Sequence, residues 1–159
     1  MRALARLTDL DWTAVIVGQS YDAEFARKLA NLREELGLGA RVTLAGYVSD
    51  TDLADLYATA SLFALATRYE GYGLVFDEAL AYGLPIVSCR TGAVPETVPA
   101  AAGRLVATDD PGAFADALAD LLTDEGAYGR CAAAALAAGE SLPTWRDTAD
   151  TAGLVLDGL

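Results

Sequence analysis

Two carboxylates eight residues apart, Glu70 and Glu78, bracket a glycine-broken stretch that reads Arg68-Tyr69-Glu70-Gly71-Tyr72-Gly73-Leu74-Val75-Phe76-Asp77-Glu78. Glu70 falls in the loop. Glu78 falls on the opening turns of a predicted helix that is otherwise apolar, and a buried, unpaired charge is costly enough to imply a use. Gly71 and Gly73 let a ligand approach the backbone closely. The helix start after them aims free N–H groups and a positive dipole end at the same place. The segment therefore combines an anion cradle with two carboxylates that accept hydrogen bonds from hydroxyls. A sugar joined to a nucleotide diphosphate carries both kinds of group.

Strand and helix patterns alternate around this stretch. Thr13–Gly18 is a β-branched run ended by glycine and predicts a buried strand. Residues 21–36 predict an amphipathic helix with Phe25, Leu29, Leu32 and Leu36 inward and Gly37 as its stop. Strands are predicted over Arg41–Gly46, Ser61–Ala66, Pro85–Cys89 and Gly103–Val106. Ser49 or Asp50 caps a short helix carrying Leu53, Leu56 and Tyr57. Thr91–Glu96 leads into a helical turn. Asp109 or Asp110 caps a helix that begins at Pro111, with Phe114, Ala117, Leu118, Leu121 and Leu122 inward. Glu125–Gly139 is an alanine-rich helix. Thr144 and Asp147 form a capping box on the last one, with Trp145 as a core anchor. Arg2–Thr8 reads as the tail of a helix. Alternation of this kind predicts an α/β fold, a doubly wound parallel sheet, with ligands beyond the carboxyl ends of its strands. The loops after Gly18, Gly46, Ala66 and Cys89 lie on that rim.

Composition narrows the chemistry. The chain has 159 residues, 53% of them hydrophobic, enough for one domain with a core. A net charge of -12 disfavours nucleic acid and anionic membrane surfaces as partners. With no histidine, triads and metal sites built on His are excluded. Cys89 and Cys131 read as small buried hydrophobes, and no metal site is expected. No membrane-spanning or signal-like run is present, so a cytoplasmic setting is expected. Gly18 is a lone strand-ending glycine without the dinucleotide G-x-G-x-x-G pattern.

Glu70-Gly71-Tyr72-Gly73-Leu74, Glu78-Ala79 and Ala81-Tyr82-Gly83-Leu84-Pro85-Ile86-Val87 together resemble the signature of glycosyltransferase family 4, retaining enzymes of the GT-B fold. Val15–Gly18, Val42–Val48, Thr91–Glu96, Gly103–Val106 and Thr144-Trp145 fit the same pattern in order, so the likeness spans nearly the whole chain. The resemblance implies a Rossmann-like C-terminal, donor-binding half over residues 1–159. It implies Glu70 as the catalytic-site residue that binds hydroxyls of the transferred sugar. Gly71, Tyr72, Gly73, Leu74 and Val75 would offer backbone N–H groups to the donor, and Gly18 and Gly92 would lie beside it. Glu78 would accept from the ribose hydroxyls, a role that suits two acceptor oxygens facing a vicinal diol. It further implies metal-independent transfer with no cofactor beyond the nucleotide-sugar donor. The family's basic pair and its acceptor-binding domain would precede Met1. An N-terminally incomplete unit is thus expected, one that needs its missing half or a partner chain and self-associates through open sheet edges.

Other readings stand beside these. Glu70 could cap the following helix, and Glu78 could be a solvent-facing position. Asp77 points about 100° away and is expected in solvent. Gly92 and Glu96 could simply shape a tight turn. Tyr69 and Tyr72 read as packing residues, and Arg68 and Arg90 as possible helpers at the rim. A non-catalytic nucleotide-sugar-binding subunit and a nucleotide-sugar epimerase of the same fold are the alternative functions.

Overall fold

Five short strands alternate with seven helices in the computed structural model, which describes residues 1–19 and 22–157. The strands are β1 (Ala14–Val17), β2 (Val42–Gly46), β3 (Phe63–Leu65), β4 (Ile86–Cys89) and β5 (Gly103–Val106). The helices are α1 (Ala23–Glu35), α2 (Asp50–Thr59), α3 (Leu74–Ala81), α4 (Val94–Thr97), α5 (Pro111–Thr123), α6 (Glu125–Glu140) and α7 (Trp145–Asp157). All strand pairs are parallel. Helical crossovers account for this, because a tight hairpin can join only antiparallel strands.

The α/β class and the parallel pairing hold, but the strands form two ladders. One has the order β1-β2 and the other β3-β4-β5. Among the described residues no backbone hydrogen bond joins the two, so β1, β2, β3 and β5 each keep an edge without a ladder partner.

The three-stranded ladder is covered on both faces. All four residues of β4 are buried, and they alternate between two cores. Val87 and Cys89 pack with Phe114, Ala117, Leu118 and Leu121 of α5. Ile86 packs with Phe76 and Leu80 of α3, Tyr57 of α2 and Ala135 of α6. Ser88 is the one buried polar residue among the described residues, and its hydroxyl donates to the Leu65 carbonyl at 2.8 Å. That bond ties the end of β3 to β4, immediately before the glutamate loop.

Local chemistry sets the helix ends. Ser49 accepts from the Asp52 amide, Asp110 from Ala113 and Asp124 from Ala127. At α7 the Thr144 amide donates to Asp147 at 2.7 Å and the Asp147 amide donates back to Thr144 Oγ1. Asp110, and not Asp109, is therefore the cap of α5.

Several expectations are corrected. β1 is buried on one face only. Ala14 and Ile16 pack inward, whereas Val15 and Val17 are 46% and 37% exposed, because alternation turns them to a face nothing covers closely. Phe25 is exposed, and α1 contributes no buried residue. Leu122 is also exposed, since it lies about 100° around α5 from buried Leu121. At the N-terminus only Leu4–Arg6 is helical, as a single 3-10 turn without a side-chain cap, too short to propagate. Tyr21, placed at the start of α1 by periodicity, lies outside the described residues, as does the side chain of Trp145. Among the described residues no helix is long and apolar enough to cross a membrane.

Candidate functional site

The loop between β3 and α3 leaves the carboxyl end of β3 and is fastened to the segment that leaves the carboxyl end of β4. Thr91 Oγ1 donates to the Arg68 carbonyl at 3.0 Å, the Ala93 amide donates to the Glu70 carbonyl at 3.0 Å, and Thr97 Oγ1 donates to the Tyr72 carbonyl at 2.9 Å. Thr67 braces the loop from its start, its hydroxyl donating to the Tyr69 carbonyl at 2.8 Å. Glu70 and the glycines after it are thus held on the rim by main-chain contacts, which leave their side chains out of the scaffold.

Gly92 makes this docking possible. Its φ is +51°, and a Cβ there would collide with the carbonyl oxygen of Glu70. The structure brings Gly92 against Glu70 through backbone contact. Gly73 is the N-cap of α3 with φ +84°, where a Cβ would lie 2.6 Å from the ring of Phe76. No side chain caps α3. The amides of Leu74 and Val75 in its first turn are therefore open to solvent or to a ligand. Phe76 turns back to bond the Gly73 carbonyl at 2.8 Å. Glu70 takes no part in capping, which removes that alternative for it. Its carboxylate makes no hydrogen bond or ion pair among the described residues.

Gly71 lies in open space, where a Cβ would meet nothing within 4 Å. Tyr72 is exposed, and the nearby charge of Asp77 raises the phenol's pKa above the ordinary value. Asp77 is only half exposed, and Glu78 is the exposed member of the pair. The expectation is reversed: Asp77, expected in solvent, is the more covered of the two. Oε2 of Glu78 accepts from the Tyr57 hydroxyl at 2.9 Å. Gly18 lies at the end of β1, its amide bonded to the Gly46 carbonyl at 2.9 Å. It belongs to the other ladder, and no hydrogen bond among the described residues links it to the glutamate loop.

The basic residues near the rim are engaged within the chain. Arg68 pairs with Asp109 at 2.8 Å, both exposed. Asp109 holds φ +60°, the one left-handed non-glycine among the described residues. The Arg90 amide donates to the Val106 carbonyl at 2.7 Å, and its guanidinium donates to the Leu105 carbonyl at 3.4 Å. Cys89 is buried, and burial pushes its thiol pKa up, as for an inert core cysteine. Among the described residues no group of three or more His, Cys, Asp or Glu could hold a metal ion.

Sequence reasoning missed Tyr57 as the partner of Glu78 and Asp109 as the partner of Arg68. Their separations of 21 and 41 residues leave no periodic trace.

Residues 1–137 match the family described as "Glycosyl transferases group 1". The chain is 39% identical over 124 residues to D-inositol 3-phosphate glycosyltransferases of Mycobacterium tuberculosis and Mycobacterium bovis, which covers 77% of this chain and 26% of theirs. It therefore spans about a quarter of the length of these curated relatives. Among solved structures it resembles sucrose-phosphate synthase from Thermosynechococcus elongatus, with a TM-score of 0.86 and 28% identity over 98% of this chain and 40% of that one. It also resembles Anabaena HepE in complex with UDP and glucose, with a TM-score of 0.86 and 25% identity over 99% and 43% of the two chains. The architecture is that of the Rossmann-like C-terminal domain of GT-B glycosyltransferases.

Proposed function

The chain belongs to the glycosyl transferases group 1, and on that premise we propose that it is the donor-binding part of a family 4 enzyme that transfers a hexose from a nucleotide diphosphate with retention of anomeric configuration. The observation that carries this reading is the Glu70 loop. Three hydrogen bonds dock its main chain on the segment after β4, while the Glu70 carboxylate has no partner among the described residues and lies beside an uncapped helix start.

Each part has a physical task in this reading. The Glu70 carboxylate accepts from hydroxyls of the transferred sugar and so holds its anomeric carbon in place. The amides of residues 71–75, backed by the α3 dipole, bind the diphosphate and stabilise the charge that grows on it as the glycosidic bond breaks. Glu78 accepts from the ribose diol. Hydrogen bonds to a charged group of this kind contribute about 1.5–3 kcal/mol each. The departing phosphate oxygen takes the proton of the acceptor hydroxyl, so neither a side-chain nucleophile nor a metal is required. The acceptor, and the second wall that excludes water from the site, come from outside this chain.

Isothermal titration of the chain with UDP, GDP, ADP and their glucose conjugates tests the proposal. Binding of at least one conjugate, weakened by Glu78→Ala, is expected. Silence toward the whole panel would count against it.

A further inference from the structure

Tyr57 is buried, and its ring is fixed from two sides. It stacks on Tyr82 with centroids 5.3 Å apart and planes 17° apart. It also lies tilted against Phe63 at 6.0 Å, which in turn meets Phe76 edge-on at 5.8 Å. Phe76 is fully buried in α3, two residues before Glu78. The cluster leaves the Tyr57 hydroxyl one polar partner among the described residues, Glu78 Oε2 at 2.9 Å.

An exposed glutamate on a helix samples several rotamers, and a receptor for a vicinal diol works only in the one that presents both oxygens. Fixing that rotamer before the ligand arrives removes an ordering cost from binding. A tyrosine held in an aromatic stack is a suitable anchor. Each carboxylate oxygen accepts two hydrogen bonds, so one donor on Oε2 leaves Oε1 whole and Oε2 half free. We propose that Tyr57 is a positioning residue: its clamped hydroxyl pins Glu78 Oε2 and presents the carboxylate to the ribose diol of the donor. This rests on the reading of Glu78 given under Proposed function. Burial first, and then the bond to Glu78, raise the phenol's pKa, so the hydroxyl stays a donor across the neutral range.

The test titrates this chain with the tightest of UDP, GDP and ADP, and with its 2′-deoxy analogue. In the wild type the ribo form binds better. Tyr57→Phe keeps the ring stack and removes the hydroxyl. It is expected to weaken the ribo form by about three- to tenfold, to bring the ribo-to-deoxy ratio toward one, and to leave the thermal midpoint near that of the wild type. In a Glu78→Ala background the same substitution is expected to change nothing further. An unchanged ratio overturns the proposal, whether or not overall affinity falls, because a purely structural role weakens both ligands alike. Should Tyr57→Phe not fold, Tyr82→Leu loosens the stack from outside the donor loop, and an unchanged ratio there overturns the proposal equally. A wild type that binds none of the three diphosphates defeats the donor-site reading itself, and this inference with it. A wild type that discriminates ribo from deoxy while Tyr57→Phe does so equally well defeats this inference alone.

Discussion

Gly92 lies against the main chain of Glu70 so closely that a Cβ could not be placed between them, and the amide of the next residue, Ala93, donates to the Glu70 carbonyl at 3.0 Å. The loop carrying the first glutamate and the turn after β4 are thus one structural unit. Gly92→Ala is expected to cost about 1–3 kcal/mol from its left-handed backbone alone, and more from the collision. It should also abolish donor binding by pushing Glu70 off the rim. Denaturant unfolding and calorimetry on the same preparation check both effects.

Glu70→Gln should behave in the opposite way. The carboxylate has no hydrogen bond or ion pair among the described residues, so stability should stay within about 0.5 kcal/mol of the wild type. Affinity for a nucleotide sugar should fall while affinity for the bare nucleotide diphosphate is retained. Parallel titrations with UDP and UDP-glucose separate the two.

Ser88→Ala removes the buried hydroxyl that ties β4 to the Leu65 carbonyl. Loss of about 1 kcal/mol is expected, in the usual range for one intramolecular hydrogen bond. Urea unfolding with an unchanged slope would show the loss as a shifted midpoint.

Acid should loosen two helix starts. The Ala127 amide bonded to Asp124, and the Thr144 hydroxyl and amide bonded to Asp147, hold both carboxyls below their ordinary 3.8. A depressed folded pKa contributes stability that is present above the unfolded value and is lost as pH falls through the folded one. The thermal midpoint of Asp124→Ala should therefore lie below that of the wild type at pH 7. The gap should narrow steadily once pH drops beneath 3.8. A gap that stays constant down to pH 2 would contradict the capping account.

The unpaired strand edges, with Val15 and Val17 of β1 exposed, are expected to make the isolated chain self-associate. Sedimentation velocity should show concentration-dependent species that Val17→Lys reduces. A monodisperse monomer over the accessible concentration range would refute this.

Local chemistry was the legible part of the sequence. Ser49 or Asp50, Asp109 or Asp110 and the Thr144–Asp147 pair could be read because a cap acts on amides two or three residues away, and the structure selects Ser49 and Asp110. The strand predicted over Pro85–Cys89 was equally plain from its mainly apolar run after the Gly83–Pro85 helix stop. Wherever a contact joined distant segments, sequence pattern was silent. The Thr97–Tyr72 bond spans 25 residues, and the ion pair of Arg68 spans 41. The bond from Tyr57 to Glu78 arose the same way, because helical angle alone does not reveal a partner 21 residues earlier. Exposure of Val15 and Val17 depended on what fails to cover β1, which a strand's own composition does not report.

The central claim is that the turn from Glu70 to Val75 receives the donor, and amide chemical-shift mapping reads that turn directly. Titration of the isotopically labelled chain with UDP-glucose should shift the amides of residues 71–75 and of Ala93 first and furthest, with the α5 and α6 amides still. Saturable shifts centred on any other part of the surface, or no shifts at all with a nucleotide sugar of any base, would contradict it.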